Sequence, residues 1–317
     1  MLLPILILAQ RARRLLEVIL HIGAHRTGTT SLQRALQKNH ENLKKNGVSF
    51  WGPQITRSGR FNGLLQPIEK ADRQTQKTID RNYGVIRIEL ERLKEQAQRR
   101  LIISEENMLG SMRANLRASL LYPDIVERLG RFAHVFAPVA TRIGMAVRSY
   151  EDYWSSSLAY AIAAGHDLPD EAALDRLVTQ PRNWQRVIAD VENAFPGAEI
   201  AVWEHDRLIG RPEAQFRVLT GGKGWISDDD ERHNASPGRD ALREILLERG
   251  GRDTAAVIPP GAGRYMPFLL HHLETFREQY QEDLAWLRNR NRDRLTFVES
   301  VEDIAPAPDR MLKRGIA

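Results

Sequence analysis

The stretch that decides the fold runs from Leu15 to Asn39 and reads LLEVILHI–GAHRTGTT–SLQRALQKN. Residues 15–22 are almost entirely aliphatic, as expected for a strand that is buried on both faces of a parallel sheet. Residues 31–39 follow helical spacing, with their apolar side chains on one stripe. The segment between them, 23–30, is rich in glycine and threonine. The stretch therefore predicts a strand, a glycine loop and a helix in succession.

Further strands and helices alternate along the chain. Strand-like runs occur at 48–51, 101–104, 143–147 and 198–203, and helical patterns occur at 84–99, 122–132, 150–164 and 171–195. This alternation predicts an α/β fold, a three-layer P-loop-type parallel sheet flanked by helices. Beyond Trp203 the pattern changes to helices at 237–248 and 267–289, separated by a loop rich in glycine and proline.

These patterns predict one domain over residues 1–317. Residues 1–14 are interpreted as an N-terminal extension, because nine apolar residues precede the arginines there, the reverse of a secretory signal. Residues 236–317 are interpreted as a helical C-terminal appendage that ends in a tail.

Composition narrows the function classes. The 317 residues include 46 Lys+Arg and 41 Asp+Glu, a net charge of +5 that suits an anionic ligand. Most charge excesses of this size are solvated surface, so we expect no nucleic-acid binding. No apolar run approaches the roughly 18 residues that a membrane span needs, and we expect no membrane contact. The absence of cysteine excludes disulfides and thiolate zinc sites and is compatible with the cytoplasm, where we place the protein. No His or carboxylate spacing is typical of a metal site, and we predict no metal.

The loop carries the strongest chemical signal, Gly23-x-x-x-x-Gly28-Thr29-Thr30. Glycines let successive backbone N–H groups converge, and the N-terminus of the next helix adds positive charge. Hydroxyl groups of the loop threonines, including Thr27, can donate to phosphate oxygens. The pattern favours an anion site over a tight turn without a ligand.

The same loop differs from a nucleoside-triphosphate loop of the Walker type. That loop has lysine directly after its second glycine. Here Thr29 holds that place, and the cation lies earlier, at Arg26. The difference disfavours a kinase or an ATPase.

Two motifs together resemble the sulfotransferases that use 3′-phosphoadenosine-5′-phosphosulfate (PAPS). Residues 25–30, HRTGTT, resemble their phosphosulfate loop, commonly P-K-x-G-T-T, and the longer run 21–33 resembles bacterial members. Residues 148–156, RSYEDYWSS, resemble their R-x-x-x-D-x-x-x-S motif. The resemblance covers residues 15 to about 205. The family's late glycine-basic segment corresponds to either Lys223-Gly224 or Gly263-Arg264.

The resemblance implies roles for individual residues. It implies that Arg148 and Ser156 bind the 3′-phosphate, and that the 5′-phosphosulfate is bound by the loop residues Gly23, His25, Arg26, Thr27, Gly28, Thr29 and Thr30. Arg26 replaces the family's lysine, so it keeps the charge but cannot lose a proton. His25 has an alternative role as a turn residue.

The acceptor's proton requires a base. Many members of the family carry histidine after the strand that matches residues 101–104, where this chain has Glu105, followed by Glu106. Glu105 is our first candidate, Glu106 the second, and a purely structural role for both is the alternative. A loop at 51–62 follows the second strand and is expected to border the acceptor.

The expected activity is transfer of a sulfuryl group from PAPS to an unidentified hydroxyl or amine acceptor, with carbohydrates among the candidates. The released product would be adenosine 3′,5′-bisphosphate, and Arg26 and Glu105 would be the catalytic residues. Two alternatives stay open, a P-loop nucleotide kinase and a non-catalytic nucleotide-binding protein.

Overall fold

A computed structural model describes residues 16–67, 72–222, 224–227, 236–290, 294–300 and 302–304. Six parallel strands form one sheet in the order β2-β3-β1-β4-β5-β6. They are β1 Glu17–Gly23, β2 Val48–Trp51, β3 Arg100–Ser104, β4 Ala140–Val147, β5 Glu199–Glu204 and β6 Leu295–Val298. The predicted α/β class and the first five strands are confirmed. The expected extension at 1–14 and the tail from 305 lie outside the described residues.

Helices connect the strands and cover both faces of the sheet. Two short turns, Thr56–Arg60 and the 3-10 turn Glu106–Met108, lie near the carboxyl ends of β2 and β3. The α-helices are α1 Thr29–Lys38, α2 His40–Lys45, α3 Pro53–Ile55, α4 Arg73–Glu95, α5 Met112–Ala118, α6 Ile125–Phe136, α7 Tyr150–Ala163, α8 Glu171–Thr179, α9 Trp184–Ala194, α10 His205–Leu208, α11 Pro212–Thr220, α12 Arg239–Glu248, α13 Arg252–Val257 and α14 Leu270–Asn289.

The alternation of side chains along β1 divides the core in two. Val18, Leu20 and Ile22 face one apolar cluster, which also contains side chains of α4, α6, α7, α9 and α14. Ile19 faces the other cluster, which contains side chains of α1 and α11. Successive strand residues point to opposite faces, so an apolar run of this kind must be covered on both sides. The sheet is therefore the middle of three layers.

One close approach in the second cluster depends on glycine. A Cβ atom added to Gly144 in β4 would lie 2.0 Å from Cδ2 of Leu219 in α11. Real Cβ atoms do not approach other atoms so closely. Helix α11 therefore packs against β4 because residue 144 has no side chain.

The C-terminal region is more than the helical appendage that the sequence predicts. Strand β6 pairs with β5, and Phe276 and Leu284 of α14 belong to the main apolar core. The hydroxyl of Tyr150 at the start of α7 donates to the buried carboxylate of Asp283 in α14. The same carboxylate accepts from the backbone N–H of Trp184 at 3.3 Å. The region is therefore an integral part of the domain, and the appendage interpretation is corrected.

The strand order determines where a ligand can bind. Strand β1 lies between β3 and β4; the chain passes from β1 toward β2 on one side and from β4 toward β5 on the other. In open α/β sheets the crevice at such a reversal, outside the carboxyl ends of the strands, binds ligands. Both sequence motifs begin at this place, one after β1 and one after β4. No helix among the described residues is long and apolar enough to cross a membrane.

Candidate functional site

The loop after β1 is tightly curled. Gly23, Arg26 and Gly28 all have positive φ angles, of 90°, 61° and 78°. Arg26 adopts this conformation although it carries a side chain, which is uncommon outside turns and functional sites. Gly28 is the N-cap of α1, and no side chain caps that end of the helix. The backbone N–H of Ser31 donates to the carbonyl oxygen of Gly28 at 3.1 Å, which closes the first turn of α1.

The loop threonines have a structural role that the sequence did not reveal. The hydroxyl of Thr27 donates to the carbonyl oxygen of Ala24 at 2.6 Å, and that of Thr29 donates to the same oxygen at 3.3 Å. Each hydroxyl has one proton to donate, so neither is free to donate to a ligand in this arrangement. Thr27 and Thr29 therefore stabilise the curl of the loop.

The two motifs meet through a pair of hydrogen bonds. Nε of Arg26 donates to Oγ of Ser156 at 2.9 Å. Nη1 of Arg148 donates to the carbonyl oxygen of Arg26 at 2.6 Å. Arg26, Arg148 and Ser156 thus lie together at the carboxyl edge of β1 and β4, as the resemblance implies.

The two guanidinium groups carry like charge in a partly dehydrated place. Burial and the proximity of Arg148 lower the pKa of Arg26, and burial lowers the pKa of Arg148, with Asp152 opposing the shift. Arg148 and Asp152 approach within 3.8 Å, which is longer than a hydrogen bond. Such a concentration of positive charge favours an anion.

The backbone of Arg148 is also fixed by a contact with the buried core. Nε1 of Trp184, the first residue of α9, donates to the carbonyl oxygen of Arg148 at 2.8 Å. Trp184 is fully buried and lies against Tyr150 at a ring-centroid separation of 6.2 Å. The end of β4 is therefore fixed by the core.

A cavity of about 300 Å³ opens beside Arg148 and Ser156. Ser236, Gly263 and Arg264 from the C-terminal third of the chain also line it. Nη1 of Arg264 lies 2.6 Å from Oδ1 of Asp152. Of the two glycine-basic segments considered, Gly263-Arg264 thus lies at the site, whereas Lys223 is outside the described residues.

Unsatisfied polar atoms point to what this cavity can hold. Nε of Arg148 and Oγ of Ser155 are buried without a hydrogen-bond partner among the described residues. Buried donors of this kind cost free energy unless they are paired. Together with Arg264 they fit a phosphate group, which accepts several charge-assisted hydrogen bonds.

His25 turns away from this cavity. Its backbone N–H donates to Oη of Tyr122 at 2.9 Å. Its ring Nδ1 lies 3.2 Å from the same oxygen, and its ring Nε2 lies 3.4 Å from Oδ1 of Asn107. Burial lowers the pKa of His25 although Glu106 opposes the shift. These contacts favour the role of a turn residue over that of a phosphate ligand.

Glu105 is buried and fully hydrogen-bonded. Its carboxylate accepts from the hydroxyl of Thr56 at 2.6 Å, from Nη2 of Arg57 at 2.7 Å and from Nδ2 of Asn107 at 2.7 Å. The backbone N–H of Asn107 and Nε of Arg57 are further donors. Both carboxylate oxygens are thus already engaged by donors from the protein. The geometry therefore favours a structural role for Glu105, in place of the role of base expected from the sequence.

Glu106 is the more accessible carboxylate. Its side chain accepts from Nε2 of Gln33 at 3.0 Å and from Nη2 of Arg57 at 2.8 Å. A Cβ atom on Gly23 would lie 2.8 Å from the Cβ of Glu106, so this residue borders the start of the loop. Burial acts to raise the pKa of Glu106, but His25 and Arg57 outweigh it and hold the pKa below its ordinary value.

Two residues at the site were missed by the sequence interpretation. The ring of His205, directly after β5, lies 3.6 Å from the place of a Cβ on Gly28, and its Nδ1 is buried without a partner. Burial and Arg148 lower its pKa to about 3, so it is neutral at pH 7. Tyr160 is 49% exposed, and the guanidinium of Arg26 lies 5.2 Å from the centre of its ring. The position of His205 at the end of a strand is the signal that could have found it.

One group of side chains brings potential metal-ligand atoms together, although no His or carboxylate spacing in the sequence indicated a metal site. Potential ligand atoms of Asp175, His271 and His272 lie within 4.8 Å of one another. Nε2 of His272 bonds Oδ1 of Asp175 at 2.9 Å, and its Nδ1 accepts from the N–H of Leu269 at 3.3 Å. Both nitrogens of His272 thus already have partners, which favours a structural contact between α8 and α14.

The carboxyl edge of the sheet therefore presents two linked features. One is the cavity lined by Arg148, Ser156 and Arg264, and the other is the curled loop bordered by Glu106. Comparison with protein-family models, with curated proteins and with solved structures found no match.

Proposed function

We propose that the protein is a sulfotransferase of P-loop type that transfers a sulfuryl group from PAPS to a hydroxyl or amine. The observation that carries the proposal is the direct contact between the two motifs. Arg148 donates to the backbone of Arg26, and Arg26 donates to Ser156. Two anion-binding elements thus lie side by side, as a nucleotide with phosphates at its 3′ and 5′ positions requires.

The residues of the cavity suit one end of that nucleotide. Arg148, Ser156 and Arg264 would hold the 3′-phosphate, because they combine two cations with a hydroxyl around a space of about 300 Å³. The backbone N–H groups at the start of α1 would hold the 5′ end. When bound, PAPS supplies the sulfuryl group that is transferred.

The chain's own residues would then carry out two tasks. The guanidinium of Arg26, which contacts Ser156, would stabilise negative charge that develops beside it. Glu106 borders the same loop and is our candidate to accept the proton of the acceptor. Glu105 holds Arg57, which in turn contacts Glu106, so we interpret Glu105 as a positioning residue.

A second candidate function is non-catalytic nucleotide binding. Two observations favour it. Arg26 cannot donate a proton to a leaving group at neutral pH. The pKa of Glu106 is held low by His25 and Arg57, which weakens it as a base.

Thermal melting separates nucleotide classes. We expect adenosine 3′,5′-bisphosphate to raise the melting temperature more than ATP with magnesium does, because a ligand that binds the folded state stabilises it. A larger shift with ATP and magnesium would reject the proposal in favour of a nucleotide kinase.

Transfer of labelled sulfate from PAPS to a panel of glycans, lipids and phenols then distinguishes an enzyme from a binding protein. Tight bisphosphate binding with no transfer to any of them supports the second candidate.

A further inference from the structure

A second, larger cavity lies on the other side of the Thr56–Arg60 turn from Glu106. It has a volume of about 630 Å³ and is formed between this turn and helix α4. The turn itself is compact, and Gly59 within it has a φ angle of 126°. Arg57 in the same turn contacts Glu105 and Glu106, so one turn separates the cavity from the proposed base.

The cavity is positively charged. Arg60, Lys77 and Arg81 line it, and no lining residue that the structure describes is acidic. Lys77 and Arg81 are exposed and lie four residues apart on α4, where like charges repel each other. Because these charges surround a concave space, a negatively charged ligand bound there would reduce the repulsion between them.

Arg60 has a defined position in this cavity. Its guanidinium lies 4.5 Å from the centre of the Trp51 ring, and Nη2 lies 3.6 Å from a carboxylate oxygen of Glu89. Trp51 is itself buried, so Arg60 is supported from below by the end of β2. A cation held in this way is pre-organised for a ligand.

The neutral part of the lining is rich in hydrogen-bonding groups. Ser58, Asn62, Thr78 and Asn82 contribute hydroxyl and amide side chains. Nδ2 of Asn82 donates to the backbone carbonyl of Asn62 at 2.8 Å, which fixes the rim against α4. The hydroxyls of Ser58 and Thr78 already donate to backbone carbonyl oxygens, so their own oxygens are left to accept from the hydroxyl groups of a ligand.

The lining disfavours nucleic acid. Single-stranded nucleic acids bind through aromatic side chains on which their bases stack. No aromatic residue is among the described residues that line this cavity. Charge and hydroxyl complementarity without a stacking surface indicate an acidic sugar chain.

We propose that this cavity binds a negatively charged oligosaccharide and forms the acceptor side of the site. The inference rests on the proposed function for its catalytic meaning, because only a transferase needs an acceptor that extends from this cavity past the Thr56–Arg60 turn to Glu106. Its binding part stands on the lining residues alone. The two parts can therefore fail separately.

Binding of tetragalacturonate, which carries a carboxylate on every sugar, tests the inference by isothermal titration calorimetry. We expect binding that weakens with added salt, and at least tenfold weaker binding of neutral maltotetraose. The double variant Lys77→Gln/Arg81→Gln should bind tetragalacturonate at least tenfold more weakly than the wild type. The matched control is Arg87→Gln/Lys94→Gln, which removes the same charge from α4 outside the cavity and should bind as the wild type does.

Four results would overturn the inference. They are no binding of tetragalacturonate by the wild type, equal binding of maltotetraose, equal loss in both double variants, and tighter binding of a pentathymidylate, whose four phosphodiesters match the four carboxylates of tetragalacturonate. Binding of adenosine 3′,5′-bisphosphate is measured on the same samples. If the wild type fails to bind the bisphosphate while the oligosaccharide pattern holds, the proposed function and the acceptor role are rejected and a carbohydrate-binding site remains. If the bisphosphate binds and the oligosaccharide pattern fails, only the inference is rejected.

Discussion

Nη1 of Arg148 donates a 2.6 Å hydrogen bond to the carbonyl oxygen of Arg26, across 122 residues of sequence. The bond joins the end of β4 to the loop after β1, so that the two motifs form one site. It also places one guanidinium against the backbone of the other. A ligand that binds at either end of the site therefore contacts a structure that the other end supports.

Replacement of Arg148 should weaken bisphosphate binding strongly. Charge-assisted hydrogen bonds contribute about 1.5–3 kcal/mol each, so Arg148→Ala should raise the Kd about tenfold to hundredfold. Titration calorimetry with adenosine 3′,5′-bisphosphate measures the change. Arg277→Ala is the control, because Arg277 is largely exposed and pairs only loosely with Glu151, at 3.8 Å. An unchanged Kd in Arg148→Ala would show that the second motif does not bind the nucleotide.

The two neighbouring glutamates should respond differently to substitution. Glu105→Gln leaves Arg57 facing a neutral amide in a buried network, and the free energy of unfolding should fall by about 1–3 kcal/mol. Glu106→Gln should change that free energy by less than about 1 kcal/mol and lower kcat for sulfate transfer at least a hundredfold. Urea denaturation and a labelled-sulfate assay measure the two effects. If Glu105→Gln lowered kcat with little effect on stability while Glu106→Gln lowered stability, Glu105 would be the base instead.

Two buried histidines should make the protein sensitive to acid. Burial lowers the pKa of His21 from 6.5 to about 4, and burial with Arg148 lowers that of His205 to about 3. As the pH falls below 6.5, the unfolded chain takes up protons that the folded protein does not, so stability is lost down to about pH 4. Between pH 7 and pH 5 each histidine should cost about 2 kcal/mol of unfolding free energy.

The measurement for this prediction is urea denaturation at several pH values. His21→Gln keeps a polar group near Ser104, which His21 contacts at 2.8 Å, and should remove part of the pH dependence. His166→Gln alters an exposed residue and should leave the dependence unchanged. Equal slopes in His21→Gln and the wild type would contradict the prediction.

The contact between β4 and α11 gives a prediction that does not depend on function. Gly144→Ala should lower the free energy of unfolding by about 1–3 kcal/mol, because its Cβ would overlap Leu219. Gly130→Ala is the opposite case, since nothing lies within 4 Å of that position in α6, and it should stabilise by about 0.5–1 kcal/mol. Thermal and urea unfolding measure both changes. A neutral effect of Gly144→Ala would mean that α11 can shift away from the sheet.

Sequence patterns predicted the elements whose information is local. The aliphatic run at 15–22 and the Gly23–Thr30 loop predicted a strand and a curl, and both are present. The helical pattern at 150–164 predicted a helix after β4 with Ser156 about two turns into it, and that helix is present. Strand β6 was missed, since it has only four residues and is recognisable as a strand only from its pairing with β5.

The site was harder to predict because hydrogen-bond partners come from distant parts of the chain. Nothing near Glu105 indicates that Arg57 and Thr56 occupy its oxygens. In the same way, the hydroxyls of Thr27 and Thr29 can donate to the carbonyl oxygen of Ala24 only when the loop is curled. Residue type shows what a side chain can do, and tertiary contacts decide whether that capacity is already used.

The buried carboxylate of Asp283 links the part of the chain that carries no motif to the part that does. It accepts from the Tyr150 hydroxyl and the Trp184 backbone, at the starts of the helix that bears Ser156 and of the one that supports Arg148. A fragment that stops after β5 would leave the Tyr150 hydroxyl in an apolar interior without this acceptor, and the Trp184 N–H would keep only its 2.9 Å bond to the Tyr150 oxygen. The geometry around Arg148 and Ser156 consequently depends on α14. Truncating the chain before this helix, or grafting the two motifs without it, would remove contacts that fix that geometry.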